Sequence, residues 1–390
     1  MIKIAVIGDR HLSRRSPRYA HARAIWSRAT ADAKEQGATH FVNLGDSVEG
    51  DPDGDERVDL ISLYSEQLDV ATERGGSVWE GLGNHESLAA IRWLSALGVI
   101  PVWDRIAWTP VYALGLPAPA AVMVLCPYPR RGWPPFEGVH GTIRASIDAA
   151  TASIQAVIAR ARELATADGV PLLFFGHLGA AGMRTRDTVF ETHNATEVIL
   201  PLEVLEPCDL AVLSHIHEAQ DLTDKIRGCG SIVRDDFAEA GDEKSYSLVT
   251  VEGQRVTFER RPLGARRMIE LEVTWDARSA GKVVEEAVRR LERLPHEVEA
   301  HEWPEMKLVV HVPADARTTF DPSAFEVLRE RCSHLVVDPR TEHQQRVRAP
   351  GISREAGLEG QFRMWLDSTG QAVPPERWAR LREKIARVPA

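Results

Sequence analysis

The sequence is sparing with cysteine. Its four cysteines among 390 residues, Cys126, Cys208, Cys229 and Cys332, form no Cys-x-x-Cys pair, which excludes a zinc knuckle and a thioredoxin-like motif. They read as reduced core residues. Net positive charge is lacking too. The 57 acidic and 47 basic residues leave −10, so the surface as a whole is no basic glove for nucleic acid, and any such binding would need local patches. No Gly-x-x-x-x-Gly-Lys-Ser/Thr run occurs, which excludes the phosphate loop of ATPases. Met1-Ile2-Lys3 leads at once into Ile4-Ala5-Val6-Ile7-Gly8-Asp9, too short a run for the apolar core of a secretion signal. The longest apolar stretch, Ala113 to Pro129, carries four prolines and cannot be a membrane helix. Internal repeats and low-complexity tracts are missing. These absences leave the expectation of a cytoplasmic protein without membrane attachment.

What is present is ordinary core-forming material, 44% hydrophobic, in a chain long enough for two or three domains. The first ~260 residues alternate short apolar runs with amphipathic stretches, the pattern of a layered α/β fold. Ile4–Ile7, Phe41–Leu44, Val78–Leu82, Leu172–Phe175 and Leu210–Leu213 read as central strands covered on both faces. Arg18–Gln36, Val58–Glu73, Ser87–Leu97 and Ala145–Thr166 read as helices. Ser231–Val233, Ser247–Val251 and Arg255–Glu259 read as strands of an antiparallel finish.

Beyond residue 265 a smaller β-α-β-α-β module is expected: Met268–Trp275, Ala280–Leu294, Lys307–Val312, Pro322–Arg331 and Leu335–Val337. A polar linker follows, then two amphipathic helices. Leu358, Phe362, Trp365 and Leu366 form the stripe of the first, and Trp378, Leu381, Ile385 and Val388 that of the second. The expected boundaries are 1–264, 265–340 and 341–390.

Polar signatures follow the strand-like runs: Asp9-x-His11, Gly45-Asp46, Gly83-Asn84-His85-Glu86, Gly176-His177 and Ser214-His215-x-His217. The carboxyl ends of such strands are where α/β sheets place their ligands. In Asp-x-His and His-x-His both side chains point the same way, because alternate residues of extended chain share a side. Hard divalent cations want oxygen, and imidazole shifts the preference toward Mn²⁺, Fe²⁺ or Zn²⁺. A carboxylate can bridge two cations through its two oxygens. Two such ions ~3.5–4 Å apart can polarise a phosphate and activate water, and a neighbouring imidazole such as His85 can protonate the leaving oxygen. Each signature alone is weak. It is their ordered recurrence at strand ends that points to phosphate-ester cleavage. The other histidines, among them His21 and His40, read as structural or solvated.

The ordered set resembles the calcineurin-like metallophosphoesterase superfamily. That resemblance implies a four-layer αββα metallophosphoesterase sandwich with a smaller α/β cap domain and C-terminal helices. It also implies two divalent metal ions, most readily Mn²⁺ with Mg²⁺ as an alternative. One would be held by Asp9, His11, Asp46 and His217, the other by Asp46, Asn84, His177 and His215. His85 would be the catalytic histidine.

The segment from Gly230-Ser231-Ile232-Val233-Arg234-Asp235-Asp236-Phe237-Ala238-Glu239 to Lys244-Ser245-Tyr246 is similar to one in SbcD-type nucleases. These are nuclease subunits of an SbcCD-like complex that processes and repairs DNA double-strand breaks. The resemblance implies a manganese-dependent exonuclease and single-strand endonuclease acting on DNA, a homodimer paired through the helices Val58–Glu73 and Ser87–Leu97, and terminal helices that grip an SbcC-type coiled-coil ATPase. It implies a bacterial or viral protein working in the cytoplasm. Arg10, Arg14, Arg15, Arg18, Arg130, Arg131, Arg184, Arg186, Arg266 and Arg267 are candidates for phosphate contact. The sequence departs from the family pattern at Arg10, at Ser214 and in the acidic run Glu49-Gly50-Asp51. A small-molecule phosphodiesterase or protein phosphatase of the same fold is the alternative.

Overall fold

The computed structural model describes residues 1–130, 143–185, 189–190, 197–276, 280–292, 303–313, 316, 320–341, 358–369 and 373–385. The strands of the larger part are, in chain order, β1 (Ile2–Ile7), β2 (His40–Asn43), β3 (Val78–Gly81), β4 (Val102–Trp103), β5 (Ala107–Tyr112), β6 (Pro119–Cys126) and β7 (Leu172–His177). They continue with β8 (Gly179–Ala180), β9 (Ile199–Leu200), β10 (Leu210–Ser214), β11 (Gln220–Asp221), β12 (Ile226–Gly228), β13 (Ser245–Glu252) and β14 (Arg255–Pro262). The helices are α1 (Tyr19–Glu35), α2 (Gly54–Glu73), α3 (Leu88–Ala96) and α4 (Ile143–Asp168).

Two six-stranded sheets result, ordered β14-β13-β1-β2-β3-β4 and β11-β12-β10-β7-β6-β5. Side-chain alternation along each strand decides the layering. In β1, Ile4 and Val6 share one core cluster with Met123 and Leu125 of β6, Leu173 and Phe175 of β7, and Val212 of β10. That cluster is the filling between the sheets. Ala5 and Ile7 point the other way, onto Ile25, Trp26 and Ala29 of α1, Leu60 and Leu63 of α2, and Ile91 and Leu94 of α3. Leu172 and Phe174 of β7 likewise turn onto Ile154, Ile158 and Ala161 of α4. The order is therefore helix, sheet, sheet, helix, and central strands buried on both faces read as continuous apolar runs.

Parallel pairing of β1 with β2, β2 with β3, and β7 with β10 brings the carboxyl ends of these strands to one edge within each sheet. Asp53 caps α2 in a capping box with Glu56, which fixes where the chain turns away from the loop after β2. The apolar stretch around Ala113 to Pro129 forms strand β6, and Pro119 stands at its first position, where proline is tolerated. Among the described residues no helix is long and apolar enough to cross a membrane.

Two expected elements differ. Ser231–Val233 is no strand. The Ser231 N–H donates to His217 O at 3.1 Å and its hydroxyl to Val233 O at 2.7 Å, so its hydrogen bonds hold a loop rather than a ladder. Pro322–Arg331 is a 3₁₀ helix rather than an α-helix.

The chain divides into two compact units. The first comprises Met1–Leu271, Ala287–Leu308 and Phe325–Val337, the second Glu272–Glu286, Val309–Ala324 and Asp338–Ala390. Strands β15 (Met268–Thr274), β16 (Glu305–Val312) and β17 (His334–Thr341) form a three-stranded sheet in that order, and α5 spans Ala280–Glu292. Within the second unit, helices α6 (Leu358–Thr369) and α7 (Pro375–Ile385) meet through Phe362 and Trp378, stacked 5.8 Å apart. Of the linker expected over Pro339 to about Ser353, the first residues belong to β17, and the rest, like Val388, lies outside the described residues.

Candidate metal centre

The eight sequence-selected residues come from five strand ends and meet in one place. Asp9 and His11 follow β1, Asp46 follows β2, and Asn84 and His85 follow β3. His177 is the last residue of β7, and His215 and His217 follow β10. Four of them, Asp9, His11, Asp46 and His215, have φ of 44°, 45°, 48° and 90°. This left-handed conformation costs non-glycine residues about 1–3 kcal/mol each and persists only where surroundings enforce it.

Backbone bonds do the enforcing. The N–H groups of Arg10 and His11 both donate to Asp46 O at 2.8 Å. Two glycines permit the crowding. A Cβ on Gly83 would collide with Asp46 Oδ1, and Gly45, at φ +85°, faces the backbone of Gly83. Buried Glu86 ties these loops together, accepting from the N–H of Gly83 at 2.8 Å and from that of Ser47. Burial, then the neighbouring Asp46 and Glu80, push its carboxyl up to about 7.

Two donor sets meet at Asp46 and Asp9. His177 Nε2 lies 3.1 Å from Asp46 Oδ2 and 2.9 Å from Asn84 Oδ1, and His215 Nδ1 lies 2.8 Å from the same Asn84 oxygen. On the other side His11 Nε2 lies 3.9 Å from Asp46 Oδ2 and 3.0 Å from His217 Nε2, which is 3.9 Å from Asp9 Oδ1. Ligand atoms bound to one divalent ion at about 2.0–2.2 Å stand about 3 Å apart, so both sets fit such an ion. Asp9, His11 and His217 form one group able to hold a metal, and Asp9, Asp46 and His177 another.

The two oxygens of Asp46 meet different partners. Oδ1 accepts the His85 N–H at 2.9 Å, and Oδ2 alone faces both imidazole sets.

The electrostatics agree with a cation-seeking site. Burial opposes charge on Asp46, but His177 and His11 more than offset it and hold its carboxyl far below the usual range. Burial likewise works against a charged His177, yet Asp46, Asp9 and Glu86 raise it to about 9. In His217 the same contest ends at about 9 through Glu239 and Asp9.

Carboxylates outside the sequence-selected set reach most of the imidazoles. Glu49 accepts from His11 Nδ1 with one oxygen and from His85 Nδ1, at 2.8 Å, with the other. The hydrogen bond that His85 donates to Glu49, against a smaller burial effect, raises the His85 pKa and so favours its imidazolium. Glu239 lies 2.7 Å from His217 Nδ1 and Glu197 3.1 Å from His215 Nε2. The acidity of the loop after Asp46 was the visible trace of Glu49. Glu197 left none.

Ser214, a departure from the family pattern, donates its hydroxyl to Asp9 Oδ2. Arg10 is fully buried, paired with Glu80 at 2.6 Å and 4.4 Å above the Trp26 ring, so it cannot touch a phosphate at the surface. Other expected phosphate contacts also meet protein groups. Arg14 pairs with Asp55, Arg18 with Glu305 at 2.7 Å, and Arg130 donates to Gly83 O at 3.1 Å. Arg131 and Arg186 lie outside the described residues.

No protein-family model matches the sequence, and no curated protein matches it. Solved structures similar to the chain include the following three. A dimetal phosphatase from Danio rerio shares 12% identity over 67% of this chain and 96% of that one, with a TM-score of 0.42. GAP50, the anchor in the inner membrane complex of Plasmodium, shares 12% over 67% and 84%, with a TM-score of 0.44. TT1561 of Thermus thermophilus shares 8% over 66% and 98%, with a TM-score of 0.38.

Proposed function

We propose that this chain is a phosphoester hydrolase dependent on two divalent metal ions, with a DNA phosphodiester as its substrate. The observation that carries the reaction class is the position of Asp46 Oδ2, 3.1 Å from His177 Nε2 and 3.9 Å from His11 Nε2. A carboxylate lying between two imidazole sets is suited to a pair of ions sharing one bridge, and Asp9 Oδ1, 3.9 Å from His217 Nε2 and 4.0 Å from His177 Nε2, borders both sets as well. Asp9, His11, Asp46 and His217 would hold one ion, and Asp46, Asn84, His177 and His215 the other. The mixed imidazole and oxygen donors favour Mn²⁺ over Mg²⁺. Bound there, the ions would polarise a phosphate oxygen and activate water.

The chain itself supplies the proton. His85 is half exposed, next in sequence to Asn84, with Nδ1 engaged by Glu49. Its Nε2 is the nitrogen left to protonate a departing ester oxygen, and the Glu49 carboxylate supports the imidazolium form needed for that step.

DNA as substrate is supported by the Gly230–Tyr246 segment and by the terminal helices, which we assign to docking an SbcC-type coiled-coil ATPase, with a homodimer formed through α2 and α3. The test is cleavage of duplex and single-stranded DNA with Mn²⁺ by wild type, His85→Ala and Asp46→Ala. Full activity in both variants would sink the mechanism. Removing residues 353–390 should abolish association with the ATPase and spare basal cleavage. Co-purification of the truncated chain would refute the docking role.

One observation favours the second reading, hydrolysis of a compact phosphoester. A cavity of about 250 Å³ beside His215 and His217 is lined by Thr185 and by the acidic Glu218, Asp236 and Asp242. Carboxylates repel a polyanion passing close by. Turnover of a small phosphodiester or phosphopeptide without DNA cleavage would decide for it.

A further inference from the structure

The Gly230–Tyr246 segment has a physical role that its likeness to a nuclease segment does not explain. Glu239, in its middle, turns one carboxylate oxygen to His217 Nδ1 at 2.7 Å. Its other oxygen is held by Lys244 Nζ at 2.9 Å and by the Asp235 N–H at 3.1 Å. Lys244 is buried. It also donates to Ser231 Oγ at 2.9 Å and to the carbonyl of His217 itself at 3.2 Å. Arg234 wraps the same turn, donating from Nε to Glu239 O at 3.1 Å and from Nη1 to Ala265 O at 2.9 Å. Asp236 caps the turn by accepting the Ala238 N–H at 2.6 Å. The charged residues of this segment thus converge on the position of one imidazole.

His215 has a separate arrangement. Its Nε2 faces Glu197 Oε2 at 3.1 Å, and the Tyr128 hydroxyl donates to that same oxygen at 2.7 Å. The two histidines are held by opposite ring nitrogens. An imidazole that donates Nδ1–H to a carboxylate presents Nε2 as its lone pair, and the reverse holds for Nε2–H. His217 therefore presents Nε2 toward Asp9 and His11, and His215 presents Nδ1 toward Asn84.

Resting on the two-metal reading above, we propose that Glu239 and Glu197 are positioning residues that each serve a different ion. Glu239, anchored by Lys244, fixes His217 for the ion at Asp9 and His11. Glu197, anchored by Tyr128, fixes His215 for the ion at Asn84 and His177. The Gly230–Tyr246 segment is then a mounting for the metal centre.

The test is Mn²⁺ titration of the full-length chain by calorimetry, which reads stoichiometry and affinity without turnover. Wild type should bind two ions. Glu239→Ala and Glu197→Ala should each keep one tight ion and weaken the other by about 10–100-fold. The double variant should keep neither. Glu239→Gln retains an oxygen acceptor and should lose less than Glu239→Ala; it also carries the test if the alanine variant fails to fold. Two ions at wild-type affinity in Glu239→Ala, or one ion still tight in the double variant, would overturn the assignment. Wild type binding fewer than two ions overturns the two-metal reading and this one with it, so the wild-type titration alone tells the two failures apart.

Discussion

Glu49 Oε2 and His85 Nδ1 stand 2.8 Å apart, and the other oxygen of Glu49 meets Nδ1 of His11. A glutamine offers only one acceptor oxygen, so Glu49→Gln must leave one of the two imidazoles without its partner. We expect a fall in kcat of at least about tenfold, read with a chromogenic phosphodiester and Mn²⁺. Unchanged kcat would show that neither imidazole depends on Glu49.

His85→Ala should separate proton transfer from metal binding. Its imidazole lies outside both donor sets, so the variant should retain two ions by elemental analysis. Its kcat should fall by about 10²–10⁴-fold, the usual contribution of a positioned acid. Loss of metal in this variant would mean that His85 is a ligand.

Asp46→Ala and Asn84→Ala should differ in stoichiometry. Asp46 Oδ2 faces both donor sets, whereas Asn84 Oδ1, among the described residues, meets His177 and His215 of one set. The first variant should hold no tight ion and the second one. Equal stoichiometry in the two would remove Asp46 from its bridging role.

The Arg10–Glu80 pair is completely buried on both sides. Breaking such a pair leaves a charge without compensation, typically at about 3–5 kcal/mol. Glu80→Gln should lower the unfolding free energy by about that much in urea. Asp55→Asn, which breaks the exposed pair with Arg14, should leave the urea midpoint unchanged. A small effect of Glu80→Gln would mean that the Trp26 face together with the Ser47 hydroxyl and the Gly45 carbonyl is enough to hold the guanidinium.

Acid sensitivity should come partly from His21 and His40. Burial, and for His21 the nearby Arg266 and Arg28, depress them to about 3 and about 4. His21 must stay neutral to accept the Arg266 N–H on Nε2, at 3.0 Å. An unfolded histidine titrates near ~6.5. Between that value and the folded pKa the unfolded chain binds more protons, so this stability is complete above ~6.5 and is lost as pH falls. The slope is roughly 1.4 kcal/mol per pH unit per histidine. Urea midpoints between pH 6 and pH 4.5 should fall less steeply in His21→Gln and His40→Gln than in wild type. Parallel profiles would show that neither ring is protonated on unfolding.

The strand ends and the eight residues at or just past them were legible in the sequence because both are local. Apolar runs of four to six residues announce strands covered on both faces, and the polar residues after them need no distant partner to be noticed. That these strands are covered on both faces was legible for the same reason, and the structure then gives Ile4 and Val6 to one face and Ala5 and Ile7 to the other. What a side chain does once it arrives was settled by the tertiary structure. Arg10 reads as a surface cation until Glu80, 70 residues away, and Trp26 enclose it. Ser231–Val233 reads as a strand until its hydrogen bonds go to the His217 loop. Glu49, Glu197 and Glu239 read as surface acids, the usual place for a glutamate, until each meets an imidazole nitrogen at 38, 18 and 22 residues' separation. A carboxylate's effect depends on which charge or ring nitrogen lies within about 3 Å of it, and only folding determines that distance.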